Sequence, residues 1–382
     1  MNISELNKCA NCGACYNICP QKAITVDSKE LFYKPTVNKQ LCTACGLCID
    51  VCPVNNDIKC NEPISAFGGW CKDKNIVLKS SSGGVFYGLA KKIIEEHGIV
   101  YGASYSDDYK SVVFKSTEET QLENLLKSKY VESMVGLSFN SIKNNLESGR
   151  KVLFCGTPCQ VTGLKSFLRK KYDNLITCDF ACGGLPSHNI YQEYLTSMEQ
   201  RYGSSIVKVD FRPKTYGWKR YAVKFDFENG KHINRLGTED KYLKCFLYGK
   251  YTVRDYCLEC KFSDCHSSDL TIADFWLHGK ISSLQNENGI SLILCNTDAG
   301  RRVVDSIKCE YYLNELNLSD ASYNNKKINV SEDTKKKRSG FLKIYEEQGA
   351  EKAYNSFVSC SFMKKVKNHL IRILFINRRN LK

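Results

Sequence analysis

From about residue 64 onward, apolar and polar positions follow one another as successive strands and helices. Ile76-Val77-Leu78 reads as a strand running into Ser80-Ser81-Ser82-Gly83-Gly84. Phe86, Leu89, Ala90, Ile93 and Ile94 then recur at helical spacing, with a stop near Gly98. Ile99-Val100-Tyr101-Gly102-Ala103 predicts the next strand. A second unit follows, with Lys151-Val152-Leu153-Phe154 as strand, Cys155-Gly156-Thr157-Pro158-Cys159 as turn and Gln160 to Arg169 as helix. Ile176-Thr177-Cys178-Asp179-Phe180 predicts a further strand, ending at Ala181-Cys182-Gly183-Gly184-Leu185-Pro186-Ser187 ahead of another helix. The alternation predicts an α/β domain whose cysteines sit at or past strand ends, where open sheets place their ligands.

The first sixty residues obey a different rule. Cys9-x2-Cys12-x2-Cys15-x3-Cys19-Pro20 recurs as Cys42-x2-Cys45-x2-Cys48-x3-Cys52-Pro53, with Gly13 and Gly46 after the second cysteine of each. Three thiolates at this spacing wrap one face of a [4Fe–4S] cube, while the fourth, set before a proline, reaches the other cluster. The expected sets are Cys9, Cys12, Cys15 and Cys52, and Cys42, Cys45, Cys48 and Cys19. Zinc knuckles need four ligands per tetrahedral site and have no use for a doubled motif with exchanged fourth ligands. Ala23-Ile24-Thr25-Val26 and Leu31-Phe32-Tyr33-Lys34-Pro35-Thr36-Val37 read as a hairpin between the motifs. Cys60 and Cys71 lie outside the repeat and read as single buried thiols. The expected fold class is α+β: a two-cluster bacterial ferredoxin fold over residues 1–60, then an α/β domain over 61–320.

Composition sharpens this picture in two places. The 21 cysteines are too many for chance, and in a reducing compartment clustered thiols point to metal or redox chemistry rather than disulfides. The net charge of +14 suits an acidic small molecule, an anionic surface or an acidic partner; nucleic acid is not expected, because no recognition motif accompanies the charge. Met1 to Leu6 lacks a basic stretch and an apolar run, and no segment has the roughly 18 uncharged apolar residues of a membrane span, so the expectation is cytoplasmic.

Beyond about residue 320 the chain turns polar and basic, with Lys326-Lys327 and Lys335-Lys336-Lys337-Arg338, and reads as a linker. Residues 363–382 combine seven Lys and Arg with apolar residues at helical spacing and no acid. Such a helix would rest on the inner membrane face, dock on a partner, or pack on its own protein.

The Ser80 to Gly84 loop opens a helix and presents N–H groups, hydroxyls and the positive end of the helix dipole, which suits a phosphate as well as an ordinary N-cap. Cys257-x2-Cys260 supplies two thiolates, and with Cys159 and Cys182 would complete a third [4Fe–4S] site; Cys155, Cys178 and Cys265 compete for that role. The six histidines stand in no nucleophile setting, which disfavours a hydrolase.

Taken in order, these motifs resemble the coenzyme F420 hydrogenase/dehydrogenase beta-subunit family, in its bacterial branch with an N-terminal two-cluster domain. The residues that carry the resemblance are Ser80 to Phe86, Ser128-Lys129-Tyr130-Val131, Val152 to Val161, Tyr172 to Leu175, Cys182 to Ser187, and Cys257-x2-Cys260 ahead of Asp269 to Trp276. The resemblance implies a flavin-binding α/β domain and an oxidoreductase. FAD would be its central cofactor, joining [4Fe–4S] clusters to an organic hydride carrier such as coenzyme F420. It makes Ser81, Ser82, Gly83, Gly84, Lys129, Thr157 and Gln160 candidate flavin contacts, and Cys159, Cys182, Cys257 and Cys260 the inner cluster ligands. A redox partner protein or ferredoxin would exchange electrons with the clusters. The alternatives are an electron-transfer subunit that docks on another enzyme and a homo-oligomer of such chains. Two departures flank the implied site: Gly183 stands where the family has His, and Ala273 and Leu277 where it favours Gly.

Overall fold

Each cysteine motif turns directly into a short helix through a left-handed glycine. Gly13 (φ +86°) caps α1 (Ala14–Ile18) and Gly46 (φ +79°) caps α2 (Leu47–Asp50). A side chain at either position would be strained, which accounts for the glycine repeated in both motifs. The computed structural model describes residues 2–6, 8–119, 122–276, 284–321 and 330–358. Between the motifs lies an antiparallel hairpin of β1 (Ile24–Asp27) and β2 (Lys34–Val37), as the sequence predicts.

The remaining strands are β3 (Ser65–Cys71), β4 (Ile99–Tyr105), β5 (Val112–Thr117), β6 (Ser133–Met134), β7 (Val152–Gly156), β8 (Leu175–Phe180), β9 (Ile206–Asp210), β10 (Ala222–Phe227), β11 (His232–Leu236), β12 (Leu270–Asp274), β13 (Ser291–Cys295) and β14 (Tyr311–Leu316). The remaining helices are α3 (Lys74–Lys79), α4 (Val85–Glu95), α5 (Ser138–Glu147), α6 (Pro158–Leu168), α7 (His188–Tyr202), α8 (Lys241–Leu243), α9 (Asp298–Ser306) and α10 (Glu332–Phe357), the last interrupted at Gly349.

Nine strands form one mixed sheet in the order β14-β3-β13-β12-β8-β7-β4-β5-β6. Its centre, β12-β8-β7-β4, is parallel. Successive residues of the central strands feed opposite faces. Leu153, Ile176 and Cys178 pack with Leu89, Ile93 and Val304 of α4 and α9. Val152 and Phe154 pack with Phe139, Ile142 and Leu164 of α5 and α6. The ferredoxin domain joins this second core through Ala10, Cys12, Ala14 and Val51. A smaller antiparallel sheet, β11-β10-β9, packs with α7 and α10. The fold class is thus α+β, with a ferredoxin-like domain followed by an α/β domain.

Three local expectations are corrected. Ile76-Val77-Leu78 lies in a helix, α3, because Asp73 accepts the Asn75 N–H at 2.8 Å and caps it; the strand of this region is β3. Lys335 to Arg338 belong to α10 rather than to a linker. Ser331 caps that helix, Phe341, Ala353 and Tyr354 bury its inner face, and Arg338 donates to the Val253 carbonyl at 2.7 and 3.1 Å. Cys71 is buried as expected, but Cys60 is exposed and disulfide-bonded to Cys265, which removes Cys265 from the candidate cluster ligands. The basic segment 363–382 lies outside the described residues. Among the described residues no helix is long and apolar enough to cross a membrane.

Candidate cofactor site

Cys9, Cys12, Cys15 and Cys52 lie close enough to act on one another. Burial pushes Cys12 and Cys15 up, and Cys9 and Cys52 push them further; Cys52 in turn feels Cys9. The other four, Cys19, Cys42, Cys45 and Cys48, line one small hollow with Pro20 and Gly46. Four thiolates gathered this closely are tenable only with compensating positive charge, which a cluster's irons would supply. Among the described residues no three His, Cys, Asp or Glu side chains converge closely enough to hold a single metal ion; a four-iron cube is several atoms wide and is held from outside.

The inner set gathers in the same way. Burial raises Cys159, with Cys260 and Cys182 adding to it, and Cys257 responds to Cys182 and Cys260. These residues come from the start of α6, the loop after β8 and the turn Asp255–Glu259, which the sheet brings together. Cys155 and Cys178 stand apart from them, in register on β7 and β8. The inner set also touches the ferredoxin domain: Cys159 Sγ lies 3.5 Å from the Ala10 carbonyl. A Cβ on Gly163 of α6 would fall 2.9 Å from Cys12 Cβ, so only glycine admits the approach.

The C-terminal ends of β7, β8 and β12 and the start of α4 enclose a cavity of about 600 Å³, within the usual range for cofactor sites. Ser81, Ser82, Gly84, Lys129, Thr157 and Gln160 line it, as does Cys182 of the inner set. Gly83 does not. Its N–H donates to Ser291 Oγ at 2.9 Å, its carbonyl accepts the Cys71 N–H at 2.8 Å, and a Cβ would meet the Gly69 carbonyl at 2.4 Å. Gly83 therefore seats the loop on β3 rather than facing a ligand.

The loop hydroxyls divide their work. Ser81 Oγ accepts the Ser128 N–H at 2.9 Å, and Ser82 Oγ donates to the Ile290 carbonyl at 2.7 Å. Ser80 lines the cavity, and its Oγ is buried with no hydrogen-bond partner among the described residues. A buried hydroxyl without a hydrogen bond is costly, so a ligand oxygen there would satisfy it. Gln160 caps Thr157 through its Oε1 at 3.0 Å and donates to Ser133 Oγ at 3.0 Å, which fixes the cavity wall. Lys129 donates to the Leu126 carbonyl at 2.7 Å, and burial lowers it to about 7, opposed by Cys155 and Asp210. Apolar walls from Leu125, Leu126 and Phe246, with Ser80 and Lys129 at one side, fit a large planar ring bearing phosphates.

Beside the same loop, Arg212 donates to the Ser81 carbonyl at 3.3 Å, pairs with Asp274 at 2.8 and 3.3 Å and lies 4.6 Å over the Tyr221 ring. Trp218 donates to Asp274 at 3.0 Å and stacks on Trp276 at 4.7 Å; Trp276 is 43% exposed. Gly183 leaves room that Lys250 occupies: its Nζ donates to the Gly183 carbonyl at 2.9 Å. Ala273 lines the cavity, and Leu277 lies outside the described residues.

Glu132, fully buried, joins the two domains. It accepts from Arg254 at 2.7 Å, from the Tyr33 N–H at 3.1 Å and pairs with His188 Nδ1 at 2.7 Å. Tyr33 stacks on His188 at 3.8 Å, and His188 Nε2 meets the Ser28 carbonyl at 2.9 Å. Arg254 also reaches the Tyr33 carbonyl at 2.6 Å. None of Glu132, Arg212, Arg254 or Trp218 is singled out by the sequence. The only signal there is position: Glu132 directly follows the Ser128 to Val131 motif, and Arg254 precedes Cys257 by one turn.

Residues 149–321 match the family model for the C-terminal region of the coenzyme F420 hydrogenase/dehydrogenase beta chain, and residues 8–56 match the 4Fe-4S dicluster domain. The coenzyme F420-dependent sulfite reductase of Methanocaldococcus jannaschii is 23% identical over 330 residues, covering 82% of this chain and 48% of that protein. The chain thus spans about half the length of that curated relative. A chain of the F420-reducing [NiFe] hydrogenase complex from Methanosarcina barkeri, solved as a xenon derivative, superposes with a TM-score of 0.46 at 14% identity. That superposition covers 78% of this chain and 92% of that one.

Proposed function

We propose, from the match of residues 149–321 to the coenzyme F420 hydrogenase/dehydrogenase beta-subunit family and of residues 8–56 to the 4Fe-4S dicluster domain, that the chain is an FAD-dependent iron–sulfur oxidoreductase of that family. It would pass electrons between its clusters and an organic hydride carrier, of which coenzyme F420 is one candidate. The observation that carries this reading is Cys182, which belongs to the inner thiol set and also lines the cavity.

On this reading the ligand sets would form a row. Cys19, Cys42, Cys45 and Cys48 stand outermost, with Cys45 exposed; Cys9, Cys12, Cys15 and Cys52 come next, against α6; Cys159, Cys182, Cys257 and Cys260 stand between them and the cavity. Leu41, 52% exposed beside the outermost set, offers a redox partner protein an apolar contact. FAD, when bound, supplies a ring able to exchange a hydride with a small molecule and single electrons with clusters. Ser80 and Lys129 would hold its phosphates, and the Asp274-braced pair of Trp218 and Trp276 would receive the flat face of the hydride carrier.

A second reading, an electron-transfer subunit acting with another enzyme, is favoured by one observation: the chain spans about half of its sulfite reductase relative. Stopped-flow reduction separates the two. Protein reconstituted anaerobically with FAD, iron and sulfide is mixed in turn with reduced coenzyme F420, NADH, NADPH and reduced ferredoxin. Rapid bleaching of the flavin by one organic donor, without any partner protein, supports the enzyme reading; bleaching only by reduced ferredoxin supports the electron-transfer reading, and no retained flavin overturns the enzyme reading.

A further inference from the structure

Among the cysteines left once the cluster ligands and the Cys60–Cys265 disulfide are assigned, Cys155 lines the cavity and Cys178 lies buried beside it. Cys155 and Cys178 are direct partners in the register of the parallel strands β7 and β8. Their side chains share one face of the sheet, since both pack with the core under α4 and α9. Neighbouring strands run about 4.8 Å apart, inside the 4.4–6.8 Å span over which Cα atoms of bridged cysteines are found. Cys178 is fully buried and within hydrogen-bonding reach of Cys155. Cys155 is half-buried, lines the cavity and faces the charge of Lys129.

Two thiols this close, with one open to a cofactor cavity beside a lysine, are arranged differently from two thiols that merely fill a core. Cys155 lines the cavity and Cys178 is fully buried behind it, so the pair has one cavity-facing member and one resolving member.

We propose that Cys155 and Cys178 form a redox-active dithiol in the cavity wall, exchanging an electron pair with the bound flavin. The inference rests on the flavin reading above. In the oxidised state a bond joins the two sulfurs. On taking two electrons and one proton, the equivalent of a hydride, from reduced flavin, that bond breaks. Cys178 leaves as a thiol and Cys155 as a thiolate facing Lys129, while the flavin is left oxidised. The reverse step closes the bond and returns the pair, so no further reagent is consumed. The dithiol thereby gives a site fed by one-electron clusters a place to store two electrons together.

The test uses the whole protein, reconstituted anaerobically with iron, sulfide and FAD and then oxidised with diamide. Samples taken before and after photoreduction of the flavin are quenched in acid, alkylated and mapped by mass spectrometry. The expected result is a Cys155–Cys178 linkage before reduction and two alkylated cysteines after it. Cys178→Ala, or Cys155→Ser if the first variant does not fold, is expected to abolish the change. A flavin that is bound and reduced while Cys155 and Cys178 stay linked, or a linkage that never forms on oxidation, overturns the proposal and leaves the flavin reading standing. Absence of flavin absorbance from the reconstituted protein overturns both, and is seen before any thiol is mapped.

Discussion

Replacing Glu132 by alanine removes the acceptor around which the two domains dock. The carboxylate is fully buried and is paired with Arg254, itself only 6% exposed, at 2.7 Å and with His188 at 2.7 Å. The Tyr33 N–H loses its partner as well. Breaking a buried charged pair from one side leaves the other charge uncompensated, which costs about 3–5 kcal/mol. Arg254 keeps the Tyr33 carbonyl at 2.6 Å, which moderates the loss toward the lower figure. About 3 kcal/mol corresponds to a rise of roughly a hundredfold in local opening. Hydrogen exchange followed by mass spectrometry reads this directly. Peptides covering residues 28–33 should exchange roughly a hundredfold faster in Glu132→Ala, while β7 and β8 in the central sheet remain protected. Glu132→Gln, which keeps the acceptor for Tyr33, should lie between the two. Exchange over 28–33 that changes by less than about threefold, below 1 kcal/mol, would refute the claim that Glu132 holds the domains together.

Three further outcomes follow from the site. Cys257→Ser should lower the iron content from about twelve to about eight per chain, because it removes one ligand of the inner set and none of the other two; colorimetric iron assay checks this. Lys129 titrates near 7 because burial disfavours its charged form, so its ammonium is lost as pH rises through 7. Affinity for a phosphate-bearing flavin should therefore fall between about pH 6 and pH 8, and Lys129→Met should bind more weakly with a flattened profile in a fluorescence titration. Trp276→Ala removes the ring stacked on Trp218 and should raise the KM for a planar hydride carrier about tenfold, ~1.4 kcal/mol, with iron and flavin content unchanged.

The parts of this protein legible in the sequence are those whose chemistry is local. Cys9 to Cys19 and Cys42 to Cys52 declare their geometry by spacing, and the helix after β7 is legible too, although it starts at Pro158, two residues ahead of the expected Gln160, because Thr157 and Gln160 form a capping box. β3 escaped because Gly68 and Gly69 interrupt its apolar run, while the more apolar Ile76 to Leu78 drew the strand assignment; Asp73, three residues upstream, decided for a helix. Lys335 to Arg338 looked like solvated linker because their partners, Val253, Asp255 and Glu259, lie about 80 residues away. The Glu132 network is the extreme case: a lone Glu, a lone His and a lone Arg acquire meaning only when chain segments some 60 to 120 residues apart meet. Gly83 shows the converse, a motif residue whose place in the pattern suggested a ligand contact but whose backbone is already spent on Ser291 and Cys71.

The central claim is that three ligand sets in a row end at a flavin cavity. Anaerobic reconstitution with iron, sulfide and FAD, followed by gel filtration and determination of all three in the protein peak, tests it most directly. About twelve irons, about twelve sulfides and one FAD per chain are expected. Eight irons with no flavin retained would contradict it, leaving a two-cluster carrier with an unrelated second domain.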